Sequence, residues 1–127
     1  DFVINCIGKM WGGELFVPKI PSYSIMDVAK AIAPKAKYKV IGIRPGEKLH
    51  EEMITINDAI NTVEFEEYYV ILPGSEYISW DRDKFILESN NSSGKLCNDD
   101  FNYNSGTNLD FLTIDKLIEL IKENSPF

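Results

Sequence analysis

Hydrophobic positions along this chain fall into short runs whose period changes from segment to segment. Phe2, Val3, Cys6, Ile7 and Met10 recur at helical spacing, which predicts an amphipathic helix over residues 1–10, stopped by Gly12-Gly13. Leu15-Phe16-Val17 reads as a short strand closed by Pro18 and Pro21. Ser24 is the expected N-cap of a second helix, with Asp27 in its first turn, near the positive end of the dipole. Ile25, Val28, Ala29 and Ile32 give that helix one apolar face, and Pro34 ends it. Lys39 to Ile43 is rich in Val and Ile and predicts a strand, followed at once by the turn signal Pro45-Gly46.

Further along, residues 48–53 are expected to make a helical turn, and Asn57 to cap a short helix through Asn61. Phe65 to Leu72 is strand-like around Tyr68-Tyr69-Val70-Ile71-Leu72, and Pro73-Gly74 closes it. Residues 75–107 are polar and predict a long surface excursion with Ser89 to Gly94 at its tip. Thr113 caps a last helix striped by Ile114, Leu117, Ile118 and Ile121, ended by Asn124-Ser125-Pro126. There is no internal repeat. The helices near 24–33 and 113–124 should be the best formed. This element order predicts a small α/β lobe of short strands, some of them parallel, with flanking helices, in one domain over 1–127.

Composition narrows the function. At 127 residues the chain is long enough for one real core, and its apolar fraction of 44% is ordinary for a globular protein. No run approaches the ~20 apolar residues that cross a bilayer. No secretory leader is recognisable, so a cytoplasmic location is expected and the Asn-X-Ser sequons at Asn90 and Asn91 are expected to stay unmodified. The chain opens on Asp1-Phe2-Val3 as if inside an element, which suggests a fragment or a processed terminus.

The net charge of −7 hides an asymmetry. Residues 1–50 carry eight Lys/Arg and four Asp/Glu, net +4; residues 51–127 carry five and sixteen, net −11. An acidic domain argues against nucleic acid as partner, whereas the basic first part suits an anionic small ligand. Cys6 and Cys97 have no metal spacing and read as reduced thiols, and one His (His50) cannot build a His cluster for zinc.

The chemistry concentrates in Ile41 to Glu51. Arg44 follows the expected strand and presents a planar fork of donors suited to a phosphate or diphosphate. Glu47, three residues on, suits a sugar hydroxyl. The competing structural reading is an Arg/Glu pair that merely closes the turn. Lys19 between two prolines can reach a phosphate or simply sit in solvent. Trp11, Phe16, Tyr68 and Tyr69 offer faces for a uracil ring, although core packing is the better role for Phe16 and at least one tyrosine. Glu64, Glu66 and Glu67 read as solvated carboxylates and not as a metal site.

Four separated segments together carry a resemblance: Gly12 to Ser22, Ile41 to Glu51, Glu67 to Ile71, and Tyr103-Asn104-Ser105-Gly106-Thr107-Asn108. In that order and spacing they resemble the C-terminal part of the inverting UDP-N-acetylglucosamine 4,6-dehydratases, which are extended short-chain dehydrogenase/reductases. The resemblance covers almost the whole chain. It implies an NADP-dependent lyase that oxidises C4 of the sugar, eliminates water across C5 and C6, and returns the hydride at C6 with inversion at C5. Such enzymes serve pseudaminic-acid-type and other surface polysaccharide pathways. Their NADP would be bound by an N-terminal Rossmann domain, which this chain would lack. The resemblance implies that Arg44 contacts the UDP diphosphate and that Pro45, Gly46 and Glu47 line the nucleotide-sugar pocket. Lys48 would add positive potential, and His50 would be structural.

The departures from the family pattern carry equal weight. No Gly-x-Gly-x-x-Gly or Gly-x-x-Gly-x-x-Gly loop occurs, and no Tyr is followed four residues later by Lys. No catalytic residue is therefore assigned, and the chain is expected to be a substrate-binding lobe without activity of its own. Its expected partners are a UDP-sugar, the Rossmann domain and, through an exposed apolar face, further copies of itself, with no nucleic acid and no membrane. Two alternatives stay open: a non-catalytic UDP-sugar-binding or oligomerisation module, and the same lobe of a related capsule-type epimerase.

Overall fold

The structure is a computed structural model that describes residues 1–74, 81–88 and 94–124. The chain divides into two compact units, one of residues 1–19 and 52–103, the other of residues 20–51 and 104–127.

The first unit is built on an antiparallel sheet of β1 (Leu15–Pro18), β3 (Thr62–Glu64), β4 (Tyr68–Ile71) and β5 (Lys95–Leu96), in the order β1-β4-β3-β5. The register pairs Phe16 with Val70 and Val63 with Val70, so β4 is central. Its sequence shows no polar alternation because both of its faces are covered. Tyr68, Val70 and Leu72 pack with Val63, Phe65 and Phe85 on one side. Tyr69 packs with Val17, Ile54 and Tyr103 on the other, with Ile71, Cys97 and Phe101 beside them. Val63 and Val70 are fully buried, worth about 1.5–3 kcal/mol each relative to exposure. A second pair of strands, β2 (Glu52–Ile54) and β6 (Tyr103–Asn104), forms a two-stranded sheet.

Several sequence expectations are met and several corrected. The first helix, α1 (Phe2–Ile7), is shorter than residues 1–10 and ends at Gly8. Gly12 and Gly13, with φ of 111° and 92°, make a turn closed by Glu14, whose carboxylate accepts from the N–H of Trp11 (2.6 Å) and of Gly12 (2.7 Å). Thr62–Glu64 was not anticipated as a strand; it forms a hairpin with β4, and Phe65 N–H donates to Tyr68 O at 2.9 Å. The expected helical turn at 48–53 is absent: residues 49–50 bend, and 52–53 open β2. The short helix near Asn57 is a 3-10 turn at Ala59–Asn61 preceded by Asp58. Within 75–107 lies α3 (Arg82–Glu88), which sends Phe85, 1% exposed, into the core. The sequons at Asn90 and Asn91 lie outside the described residues.

The expectation of parallel strands is corrected in the four-stranded sheet: β1 with β4, β4 with β3 and β3 with β5 all pair antiparallel, while Ser22 and Phe111 make an isolated parallel bridge. Residues 52–72 return through a hairpin, and such connections produce antiparallel neighbours.

The second unit holds α2 (Ile25–Ile32) and α4 (Ile114–Asn124), which pack on one another. Ser24 occupies the N-cap position of α2 without a side-chain bond, and Asp27 pairs with Lys30 at 3.1 Å. Thr113 caps α4, its Oγ1 accepting from Lys116 N–H at 3.4 Å. Leu117 is the buried residue of α4.

Candidate functional site

Residues 39–43 form no strand, which corrects the expectation that Arg44 stands at a strand end. Val40 is 87% exposed and Ile41 76%, because no described segment supplies a ladder for them; β-branched residues favour strands only when neighbours pack against them. Arg44 instead opens a turn on an exposed loop. Glu47 N–H donates to Arg44 O at 3.0 Å, with Pro45 second in the turn and Gly46 third at φ 88°, the type II pattern.

The turn is closed twice more by side chains. Arg44 Nε donates to Glu47 Oε1 at 2.7 Å, and Arg44 N–H donates to Glu47 Oε2 at 2.8 Å. Those two bonds, the backbone one first, hold the Glu47 carboxyl below its ordinary range. The ion pair uses only Nε of the guanidinium. Arg44 keeps its two terminal amino groups on a side chain that is 77% exposed, beside Pro45, Gly46 and Lys48 in the same loop. The pair thus closes the turn, as the structural reading expects, and leaves the terminal amino groups of Arg44 exposed.

Lys19 belongs to the other unit. Its ammonium donates to Glu64 Oε1 at 2.7 Å and lies 4.8 Å from the centre of the Tyr69 ring, so its charge already has partners. Glu64, read as a solvated carboxylate, is thereby committed to Lys19. Burial first and then Glu64 push the Tyr69 hydroxyl up to about 12, and the same two causes push the Cys97 thiol up to about 11. The aromatic candidates separate clearly. Phe16 packs on Tyr68, and both tyrosines are buried on opposite faces of the sheet. Trp11, 45% exposed, sets its edge against Phe85 at 5.3 Å.

Sequence reasoning gave Tyr103-Asn104-Ser105-Gly106-Thr107-Asn108 no roles, and the second unit supplies them. Asn108 Nδ2 donates to Ile20 O (2.9 Å) and to Ser22 Oγ (3.0 Å), tying the Ile20-Pro21-Ser22 segment to this one. Ser105 N–H donates to Glu51 O at 2.8 Å, and Ser105 Oγ accepts from Glu51 N–H at 3.0 Å, tying in the end of the Arg44 loop. Three of the separated motifs thus meet through side-chain and backbone bonds. Their Asn/Ser/Gly composition was the available signal, since such residues bond the backbone of turns. A cleft of about 490 Å³ between α2 and α4, lined by residues such as Tyr23, Val28, Leu117 and Ile121, is apolar and includes none of the Arg44 turn.

Comparison with known proteins agrees with this motif set. Over 126 residues the chain is 42% identical to a UDP-N-acetylglucosamine 4,6-dehydratase (inverting) of Campylobacter jejuni serotype O:2, covering 99% of this chain and 37% of that protein. The corresponding protein of serotype O:23/36 is 40% identical over the same span. The chain thus spans little more than a third of the length of these relatives. An uncharacterized membrane protein of Methanocaldococcus jannaschii is 42% identical over 73 residues, 49% of this chain and 22% of its own. No helix among the described residues is long and apolar enough to cross a membrane. Among solved structures, Pen from Bacillus thuringiensis superposes with a TM-score of 0.66 over 94% of this chain and 33% of that one, at 22% identity, which speaks to the fold alone. The family model for polysaccharide biosynthesis proteins matches residues 1–73, more than half of the chain. This protein therefore belongs to the polysaccharide biosynthesis protein family.

Proposed function

We propose that this chain is the nucleotide-sugar-binding, C-terminal part of an NADP-dependent inverting UDP-N-acetylglucosamine 4,6-dehydratase in surface-polysaccharide or pseudaminic-acid-type biosynthesis. The observation that carries the reading is the Arg44 turn. A permanently charged guanidinium is oriented through Nε by Glu47 and keeps its terminal donors exposed. That arrangement suits a diphosphate, which a planar fork can engage in bidentate fashion. Identity of 40–42% to dehydratases over 99% of the chain supports the same reading.

In this proposal Arg44 binds the UDP diphosphate. Pro45, Gly46 and Glu47 line the pocket, and Lys48 adds positive potential. Lys19 is given no role in this pocket, because Glu64 and Tyr69 already engage it. NADP would supply hydride transfer. The residues of this chain do not fit that cofactor, since no glycine-rich dinucleotide loop and no Tyr-x-x-x-Lys pair occur in the sequence. Hence no redox step is assigned here, and a Rossmann domain is the expected partner.

Calorimetric titration with UDP and UDP-N-acetylglucosamine, for the chain and for Arg44→Ala, tests the reading. Binding that weakens at least about tenfold in the variant supports it, the scale of a charge-assisted hydrogen bond. Equal binding by both proteins refutes the Arg44 assignment. Binding by neither, even with a Rossmann partner added in trans, refutes the lobe itself.

A further inference from the structure

The Arg44 turn sits on a loop with few ties. Toward the N-terminal side, Tyr38 Oη donates to Ala33 O at 2.7 Å, at the end of α2. Between there and His50 the described hydrogen bonds of the loop are those of the turn itself. The next tie is the reciprocal pair between Glu51 and Ser105. Beside it, the His50 imidazole lies directly over Gly106. A Cβ placed on Gly106 would stand 2.9 Å from His50 Cγ and 3.0 Å from Cδ2 and Nδ1. At these distances the ring, or the loop that carries it, must shift to admit a methyl group. Gly106 is itself held in place: Asn104 Oδ1 accepts from the N–H of Gly106 (2.8 Å) and of Thr107 (3.0 Å).

We infer that His50 and Gly106 form a clasp that positions the Arg44 turn, with Asn104 and Ser105 holding the clasp together. The inference deepens the reading of Arg44 as the phosphate-binding residue and rests on it for its functional consequence. His50 is a positioning residue here and touches no reacting atom. Gly106 is needed for space: its backbone is not among the glycines with positive φ, so alanine is excluded by the ring and not by conformation. The cost of ordering a free loop falls on the ligand unless the protein has ordered it beforehand, so a clasp six residues from Arg44 changes affinity without contacting the ligand.

Amide hydrogen exchange on Gly106→Ala, His50→Ala and the double variant tests the clasp. In Gly106→Ala the amides of Glu51 and Glu47 should exchange about tenfold faster or more, while Val70 in the sheet keeps its protection. In the His50→Ala background the same Gly106→Ala change should add nothing, because the ring it collides with is gone. An equal effect in both backgrounds, or an unchanged Glu47 amide in Gly106→Ala, overturns the inference. UDP titration separates it from the underlying reading. If Arg44→Ala weakens UDP binding and Gly106→Ala does not, the positioning role fails. If Arg44→Ala leaves UDP binding intact, or UDP does not bind even with a Rossmann partner added in trans, the phosphate reading fails and the exchange data alone decide the clasp.

Discussion

Glu47 grips Arg44 at two points: Oε1 accepts from Nε at 2.7 Å, and Oε2 accepts from the backbone N–H at 2.8 Å. One carboxylate thus fixes both the side chain and the main chain of the residue proposed to bind phosphate. Glutamine in its place keeps one acceptor, and alanine keeps none.

This grip has a pH signature. The folded carboxyl titrates below its ordinary value near 4.5, first because of the Arg44 backbone N–H and then because of the guanidinium. A depressed folded pKa means that order in the turn is complete above the ordinary value and is lost as pH falls through the lowered one. An NMR titration should show the Glu47 carboxyl and the Arg44 amide moving together, with a midpoint below 4.5. A midpoint at or above that value would show that the bonds do not persist in solution.

Glu14 should be costly to remove. It is 7% exposed and its carboxylate satisfies the N–H groups of Trp11 and Gly12. Glu14→Ala removes both bonds, and a hydrogen bond to a charged group is worth about 1.5–3 kcal/mol. Urea unfolding should register a loss within or above that range, and Glu14→Gln a smaller one. An unchanged midpoint for Glu14→Ala would mean that water replaces the carboxylate freely.

Phe85 tests whether α3 belongs to the core. Its ring is 1% exposed and meets Trp11 at 5.3 Å and Phe65 at 6.3 Å, both edge-on. Phe85→Ala should destabilise by about 3–5 kcal/mol. Leu87→Ala, at a position 72% exposed on the same helix, should stay within about 0.5 kcal/mol. Similar small losses for both would detach α3 from the sheet.

Cys97 should be a slow thiol. Burial and then Glu64 hold it near 11, against the pull of Lys19 and Lys95. Its alkylation by iodoacetamide should rise about tenfold per pH unit between 8 and 10, without a plateau, because only the thiolate reacts. A plateau below pH 9 would contradict the burial. Glu64→Gln should quicken the reaction.

Local order was legible where periodicity and capping agree. Ile25, Val28, Ala29 and Ile32 announce α2, and Thr113 with its apolar stripe announces α4, because a helix is closed by bonds within its own segment. The turn at Pro45-Gly46 was readable for the same reason, and the structure makes it type II: its residues meet their own conformational needs. The resemblance carried by four motifs pointed to the family that the comparisons show.

Strands were a different matter. Lys39 to Ile43 has strand composition and forms none, while Thr62-Val63-Glu64, too short to stand out in the sequence, forms β3. A strand exists only through its neighbour, and neighbours are set by tertiary structure. The same reason explains the site. Sequence alone determined that Arg44 and Glu47 sit three apart around a turn, close enough to pair. Only the tertiary structure decided that Lys19 is spent on Glu64 and Tyr69, and that Asn104, Ser105, Gly106 and Asn108 gather Ile20, Ser22 and the end of the Arg44 loop into one unit. Those contacts join residues more than 40 positions apart in the chain, and no local propensity reaches that far.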